Sequence, residues 1–180
     1  MTAPKQVAID AAHLARSVKR IAMEISERNG GTANVVLVGI VRRGAMLAER
    51  IATELRTVGR GEVPVGTLDI SSYRDDGRGT PGDPRLIGRD IPFSLDGKCV
   101  VLVDDVLYTG RTVRAALDAI SDLGHADSIQ LAVLVDRGER ELPIRADYIG
   151  KNISAPHGQR VYVRLTEIDG TDAVVVGDGK

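Results

Sequence analysis

Three stretches of the chain are almost continuously apolar, and they constrain the fold more than any other feature. Residues 34–40 read NVVLVGI, residues 98–103 read KCVVLV and residues 129–135 read IQLAVLV. An unbroken apolar run of this length is typical of a strand that is buried on both faces. Such strands belong to parallel sheets covered by helices, because parallel neighbours need a crossover connection between them. The runs therefore predict an α/β fold with a central parallel sheet.

Helical segments alternate with these strands. In residues 9–28 the apolar side chains of Leu14, Val18, Ile21 and Ile25 recur at the spacing of one helix face, and Asn29-Gly30-Gly31 ends the segment. The remaining pattern predicts helices at about 45–55 and 109–123 and strands at 65–70, 148–149, 161–165 and 173–176. No linker or repeat interrupts residues 1–180, so we expect one domain with a core of Val, Ile, Leu and Ala, since aromatic residues make up only 3% of the chain.

Residues 71–92 break this pattern. They are rich in Gly, Pro, Asp and Arg, and they show almost no apolar periodicity. A stretch of this length without secondary structure is unusual inside a compact domain and is often a functional loop. We therefore expect a lid over a site.

The segment VVLVDDVLYTGRT, residues 100–112, carries the strongest functional signal. Asp104 and Asp105 end a predicted strand, where ligands bind in open parallel sheets. Thr109-Gly110-Arg111-Thr112 then opens a predicted helix, whose free amides and positive dipole end suit a phosphate group. Carboxylates can bind the hydroxyls of a sugar, and the neighbouring amides can bind a phosphate. Together they predict a sugar-phosphate site.

Each part of this segment also has a plainer interpretation. Thr109 suits a helix N-cap, and the paired acids suit a solvated strand end. Signalling domains that accept a phosphoryl group also end strands in paired acids that hold magnesium. Such a domain needs a further Asp and a Lys at neighbouring strand ends, whereas the candidate ends here offer Gly39, Asp69 and Arg137.

The whole segment resembles the phosphoribosyl-pyrophosphate motif of type I phosphoribosyltransferases. Nearly the whole chain is similar to the bifunctional pyrimidine operon regulators that have uracil phosphoribosyltransferase activity. The matching stretches are RIAMEISERN at 20–29, LDISSYRDD at 68–76, the motif itself, and LVDRGERELPIRADYIGKNI at 134–153. The resemblance implies a type I phosphoribosyltransferase fold: a central parallel sheet flanked by helices, a flexible lid loop at about 71–92, and a small hood formed by about 136–165 with the N-terminal segment.

The resemblance also implies an activity: transfer of the phosphoribosyl group of phosphoribosyl pyrophosphate (PRPP) to uracil, giving UMP and pyrophosphate. Asp105 and Asp104 would be the catalytic acids, binding the ribose hydroxyls directly or through water on Mg²⁺, which would accompany PRPP. The 5′-phosphate would lie in the loop made of Val106, Leu107, Tyr108, Thr109, Gly110, Arg111 and Thr112. A phosphoribosyltransferase for another base is the alternative.

Pyrophosphate would be bound by Arg42, Arg43 and Gly44, which follow the first apolar run, and by Arg74 in the lid. Guanidinium groups bind phosphate oxygens in fixed pairs, which suits this role. The family usually has a smaller polar residue where this chain has Arg42, so Arg43 is the better candidate. The other lid arginines are Arg78, Arg85 and Arg89.

The uracil ring would lie under the hood, near Asp136, Arg137 and Ile153. Its two carbonyls and N–H need both donors and an acceptor along one edge. Salt-bridged surface charge is the other interpretation of Asp136 and Arg137.

The resemblance further implies regulation of pyrimidine genes by binding a messenger RNA leader in response to UMP or UTP. A basic face for RNA would comprise Arg16, Lys19, Arg20, Arg140 and Arg145. The net charge of −1 gives no general attraction to nucleic acid. Glu139 stands where the family has a non-acidic residue, which weakens an RNA-facing surface, and a mixed-charge solvated helix is the alternative.

Other features indicate an ordinary cytoplasmic protein. No leader or membrane-length apolar stretch is present, and Cys99, within an apolar strand, is expected to be a buried thiol. His13, His125 and His157 lack metal-ligand spacing. The resemblance implies a homodimer or a higher assembly.

Overall fold

The computed structural model describes residues 6–59, 61–70 and 89–178. Within them the chain forms a six-stranded sheet, a three-stranded sheet and four helices. In chain order the elements are β1 (Gln6–Ile9), α1 (Ala11–Arg28), β2 (Val35–Ile40), α2 (Arg43–Gly59), β3 (Val65–Leu68), β4 (Arg89–Asp90), β5 (Cys99–Leu107), α3 (Arg111–Ser121), β6 (Ser128–Asp136), β7 (Tyr148–Asn152), β8 (Gln159–Arg164), α4 (Thr166–Asp169) and β9 (Ala173–Asp178).

The larger sheet has the strand order β4-β3-β2-β5-β6-β7. Five of its strands are parallel, and only the two-residue β4 runs antiparallel, against β3. The three apolar runs form the adjacent central strands β2, β5 and β6, with Val35 opposite Cys99 and Val103 opposite Ala132. The α/β prediction is therefore confirmed.

Both faces of this sheet are buried, which explains the unbroken apolar runs. Alternate side chains of β5 lie on opposite faces of the sheet. Val101 and Val103 pack with α1 and α2, whereas Val100 and Leu102 pack with α3. Each side chain therefore needs an apolar neighbour, whichever way it points. Cys99 is a buried free thiol in this strand, as expected.

The smaller sheet joins the two ends of the described chain, in the order β1-β9-β8. All of its pairs are antiparallel, and β9 lies at the centre. The strand β1 was not predicted, because four residues are too few to show a period. The predicted hood comprised about 136–165 and the N-terminal segment, and this sheet brings residues 173–178 beside them.

Three of the elements whose ends differ from the prediction lie near the site. The strand β5 continues through Asp104 and Asp105 to Leu107, and α2 begins at Arg43. The helix α3 begins at Arg111, so the start predicted at Thr109 was wrong. Gly110 is its N-cap, with a φ of 93°, a left-handed conformation that glycine adopts without strain. Thr109 thus lies in the loop before the helix.

Most of the predicted lid lies outside the described residues. Arg74, Arg78 and Arg85 fall there, and of Arg89 only the backbone is described, paired with Leu68. None of the described helices is both long and apolar enough to cross a membrane.

Candidate active site

Two glycines bring the start of α2 against the end of β5. A Cβ on Gly44 would lie 2.4 Å from the carbonyl oxygen of Val103, and a Cβ on Gly39 would lie 2.4 Å from the Cα of Ala45. Only glycine permits approaches this close between backbones. The turn that carries Arg43 is therefore packed directly beside Asp104. The peptide bond that enters this turn, between Val41 and Arg42, is cis.

The two carboxylates are each held by a backbone amide. Asp104 Oδ1 accepts a hydrogen bond of 2.9 Å from the N–H of Asp105, and Asp105 Oδ1 accepts one of 2.9 Å from the N–H of Val106. Burial raises the pKa of Asp105, while the Val106 amide, Asp104 and the charge of Arg43 oppose this rise. A positive group on a substrate would stabilise the ionised form of this buried acid further.

The loop between β5 and α3 presents backbone amides. Thr109 Oγ1 accepts a hydrogen bond of 3.3 Å from the N–H of Arg111, and the amides of Glu141 and Leu142 donate to the Thr109 carbonyl at 3.0 and 3.1 Å. Gly110 has no side chain with which to cap α3. Apart from the Arg111 amide, which already donates to Thr109, the first-turn amides of the helix suit an anion. Arg111 itself pairs with Glu141 at 2.6 Å.

Arg43 forms an ion pair with Asp169 of α4, with Nη2 at 2.9 and 3.1 Å from the two carboxylate oxygens. Its Nε–H is buried and has no hydrogen-bond partner among the described residues. Arg43, Asp105 and Asp169 line a cavity of about 320 Å³, together with Val161, Tyr162, Val163 and Arg164. Arg42, in contrast, is exposed.

Arg137 lies beside the predicted phosphate loop. Its guanidinium carbon is 3.9 Å from the centre of the Tyr108 ring, Nη1 donates to Glu139 at 2.8 Å, and Nη2 donates to the carbonyl of Gln159 at 3.0 Å. Only 8% of the residue is exposed. It lines a cavity of about 540 Å³ with Val106, Tyr108, Glu139, His157, Gly158, Gln159, Arg160 and Val161.

The other two predicted uracil residues lie on a neighbouring cavity of about 560 Å³, which Arg137 also lines. The Asp136 carboxylate accepts hydrogen bonds from the N–H of Gly138 at 2.8 Å and from Nη2 of Arg140 at 2.6 Å. The amide of Ile153 donates to the Asp136 carbonyl at 2.9 Å. The structure thus brings Arg137, but not Asp136 or Ile153, into one cavity with the loop after β5.

The predicted basic residues divide into two groups. Arg16, Lys19, Arg20 and Arg145 are exposed, whereas Arg140 is half-buried. Arg20 donates to the carbonyls of Ile149 and Gly150 at 3.1 and 2.6 Å, which ties α1 to β7. The guanidinium of Arg140 donates to the Asp136 carboxylate and to the carbonyls of Tyr108, Gly138 and Ile144, so it links the hood segment to the loop.

The described side chains alone do not form a complete magnesium site. No group of three or more His, Cys, Asp or Glu side chains among the described residues is arranged to hold a metal ion. Asp104 and Asp105 offer carboxylate oxygens, the donor type that Mg²⁺ prefers, and one oxygen of each is engaged by an amide. The pair fits an ion that draws its remaining ligands from water and substrate.

Two groups at these cavities were missed from the sequence. The alternation in 161–165 predicted a strand, but nothing local indicated that β8 and the residues before it line the cavity of Tyr108 and Arg137. Asp169 lies in the acid-rich segment TEIDGTD, 126 positions from its partner Arg43. A run of acids after a strand indicates a local negative charge, but it does not show which basic residue pairs with it.

Comparisons with known proteins agree with this geometry. The model of the phosphoribosyl transferase domain matches residues 8–164. The bifunctional protein PyrR of Pelotomaculum thermopropionicum is 57% identical over 176 residues, which is 98% of this chain and 97% of that protein. The bifunctional protein pyrR of Enterococcus faecalis is 51% identical over 98% of each chain.

Among solved structures, the hypoxanthine phosphoribosyltransferase of Trypanosoma cruzi has a TM-score of 0.73 at 19% identity, covering 97% of both chains. That of Staphylococcus aureus has a TM-score of 0.70 at 20% identity, covering 97% of this chain and 91% of the other. At such identities the likeness demonstrates the fold alone. It confirms the predicted type I phosphoribosyltransferase fold.

The family match covers most of the chain, and the relatives align over nearly all of it. These findings exclude the alternative of a phosphoacceptor signalling domain and confirm the resemblance that the motifs indicated. The chain therefore belongs to the phosphoribosyltransferase family and, within it, to the bifunctional PyrR proteins.

Proposed function

We propose that this protein transfers the phosphoribosyl group of PRPP to uracil, giving UMP and pyrophosphate. The observation that carries the proposal is the convergence, at one edge of the parallel sheet, of Asp104 and Asp105, the amides of the loop after β5, and Arg43. Carboxylates suit the ribose hydroxyls, amides at a helix start suit the 5′-phosphate, and a guanidinium group suits pyrophosphate. This set matches the three chemical parts of PRPP.

We place the uracil ring in the 540 Å³ cavity. Among the described residues β8 pairs only with β9, so its other edge offers alternating N–H and C=O groups. Such an edge can meet both carbonyls and the N–H of a pyrimidine. Arg137 adds a buried cation at the same cavity.

In the reaction, a uracil ring nitrogen attacks the anomeric carbon of PRPP. The bond from that carbon to the pyrophosphate oxygen breaks, its electron pair leaves with pyrophosphate, and the ring N–H proton passes to solvent. Positive charge develops on the ribose during this exchange, and the carboxylate of Asp105 stabilises it. Arg43 neutralises the departing pyrophosphate. Bound Mg²⁺ would supply charge neutralisation on the pyrophosphate oxygens, and Asp104 and Asp105 would hold it through water and substrate.

The test is UMP synthesis from uracil and PRPP with Mg²⁺, measured beside the products formed from hypoxanthine, guanine and orotate. We expect uracil to give the highest kcat/KM. The double variant Asp104→Asn, Asp105→Asn should lose about 100-fold or more in kcat/KM, whereas Asp127→Asn, an exposed carboxylate elsewhere, should match the wild type. Preference for another base would contradict the choice of uracil, and full activity in the double variant would contradict the site.

We further propose that the protein binds the leader of a pyrimidine-gene messenger RNA in response to UMP or UTP. The relatives are named bifunctional, and Arg16, Lys19 and Arg145 are exposed cations available to RNA phosphates. Glu139, which weakened this expectation, pairs with Arg137. Measuring the affinity for the leader RNA with and without UMP tests this role. If the protein does not bind the leader, it acts as an enzyme only.

We also propose that residues 1–180 form a single domain and that about 71–92 form a lid in which Arg74 binds pyrophosphate. We propose further that the protein forms a homodimer or a higher assembly. Sedimentation of the full chain at several concentrations would measure the assembly.

A further inference from the structure

The Asp169 side chain is a fixed anion beside the site. Its Oδ2 accepts a hydrogen bond of 2.9 Å from the N–H of the fully buried Leu165, and only 23% of the side chain is exposed. Burial raises the pKa of Asp169, but the Leu165 amide and the Arg43 guanidinium together hold it below its ordinary value. The group is therefore ionised at neutral pH and held in place by the backbone that leaves β8.

A second pair of contacts anchors the same segment. Arg50, seven residues after Arg43 and so on the same side of α2, forms bidentate pairs with Glu167 at 2.8 and 2.6 Å and with Asp172 at 2.8 and 2.8 Å. Residues 165–172 are thus attached to α2 independently of Arg43. We infer that these contacts hold Asp169 near Arg43 even without the ion pair between the two residues.

The contact leaves part of the Arg43 guanidinium for another acceptor. Both bonds to Asp169 start at Nη2, while the buried Nε–H has no partner among the described residues. A buried donor without an acceptor is costly, and guanidinium groups bind phosphate oxygens through paired N–H groups. An anionic oxygen in the 320 Å³ cavity would satisfy this donor.

We propose that Asp169 is a positioning residue that holds the Arg43 guanidinium in the orientation that binds the pyrophosphate group of PRPP. The proposal rests on the function proposed above and adds to it a residue that does not touch substrate. Without Asp169, Arg43 has other rotamers available, and ordering it costs part of the binding free energy. The alternative is that Asp169 competes with pyrophosphate for Arg43, which predicts the opposite sign.

The test compares Asp169→Asn, whose amide oxygen can still accept from Leu165, with Glu167→Gln. We expect Asp169→Asn to lower kcat/KM for PRPP about 10-fold, with KM for uracil within about twofold. Calorimetry with Mg²⁺-pyrophosphate should show affinity weakened by a similar factor. Glu167→Gln breaks a contact in the same segment without touching Arg43, so it should lower Tm and leave pyrophosphate affinity unchanged.

A double-variant cycle separates positioning from general damage. In an Arg43→Ala background, Asp169→Asn should change pyrophosphate affinity by less than about twofold, because the residue acts only through Arg43. Unchanged or tighter pyrophosphate binding by Asp169→Asn, or an equal loss in the Arg43→Ala background, would overturn the proposal. If Asp169→Asn does not fold, Asp169→Ser takes its place, because its hydroxyl oxygen can also accept a hydrogen bond from the Leu165 amide. A wild type that makes no UMP would defeat the proposed function, whereas an active wild type matched by Asp169→Asn would defeat only this inference.

Discussion

The guanidinium groups of Arg43 and Arg137 have similar hydrogen-bond environments at the site. Each is held by a carboxylate, Asp169 from a distant part of the chain for Arg43 and Glu139, two residues away, for Arg137. Each also keeps a buried Nε–H without a partner among the described residues. Arg137 has the additional support of the Tyr108 ring. An arginine that is fixed in this way can present its remaining donors to a ligand without first losing rotamer freedom.

This arrangement predicts how the ring of Tyr108 contributes. Tyr108→Ala removes the aromatic face beneath Arg137, a contact worth about 1 kcal/mol, so KM for uracil should rise about fivefold. Tyr108→Phe keeps the ring and should stay within about twofold of the wild type. Initial rates at saturating PRPP measure both variants. An alanine variant with unchanged KM for uracil would contradict the placement of the base in this cavity.

At the scale of elements, the shortest helix connects the site to the rest of the fold. The helix α4 has four residues, and the ion pairs of Glu167 and Asp172 with Arg50 attach it and the turn after it to α2. Hydrogen bonds from Arg50 lower the pKa of Asp172 to about 2 from its ordinary value of 3.8, although burial opposes the shift. The ion pairs therefore stabilise the folded state only while Asp172 is ionised.

The sign of the pH dependence follows from this depressed pKa. The unfolded chain takes up a proton at Asp172 near pH 4, before the folded chain does, so the stabilisation is complete above that pH and is lost as pH falls towards 2. We expect Asp172→Asn to lower the free energy of unfolding by roughly 1–2 kcal/mol at pH 7, with a difference from wild type that shrinks below pH 4. Denaturant-induced unfolding of both proteins at several pH values measures this difference in the free energy of unfolding. Asp127→Asn, which removes an exposed carboxylate outside these ion pairs, is the control, and a difference that does not vary with pH in Asp172→Asn would contradict the predicted linkage.

For the whole molecule, the net charge of −1 makes local charge decisive for any RNA contact. Arg16 and Lys19 are exposed on α1. Arg20 is exposed too, but it and Arg140 donate hydrogen bonds to groups of the protein itself. RNA phosphates would therefore meet the first pair more readily than the second.

This difference gives a prediction for RNA binding. The double variant Arg16→Gln, Lys19→Gln should weaken binding of a pyrimidine-gene leader and reduce the salt slope of log K by about 1–2, since each phosphate contact releases condensed counterions. UMP synthesis should be unchanged. Arg56→Gln, an exposed cation on α2, is the matched control. Equal salt slopes for the wild type and the double variant would remove these residues from the interface.

Local sequence was enough to predict the central part of the molecule. The apolar runs predicted β2, β5 and β6, because a strand covered on both faces must be apolar at every position. Residues 100–112 predicted the succession of strand, loop and helix, although the strand continues through both acids to Leu107 and the helix begins at Arg111 rather than at Thr109. These features depend on neighbours in the chain, so a short window of sequence contains them.

What only the tertiary structure decided depends on residues that are distant in the chain. Pairing of β1 with β9 joins residues about 170 positions apart, and β8, the other neighbour of β9, borders the cavity of Arg137. The contact of Arg43 with Asp169 spans 126 positions. Charge and periodicity are properties of a segment, whereas the partner of a charge or of a strand edge is set by how the whole chain packs. For that reason the sequence alone determined which acids and loop residues stand next to one another in the proposed phosphate site, and the fold determined which residues hold the arginines around it.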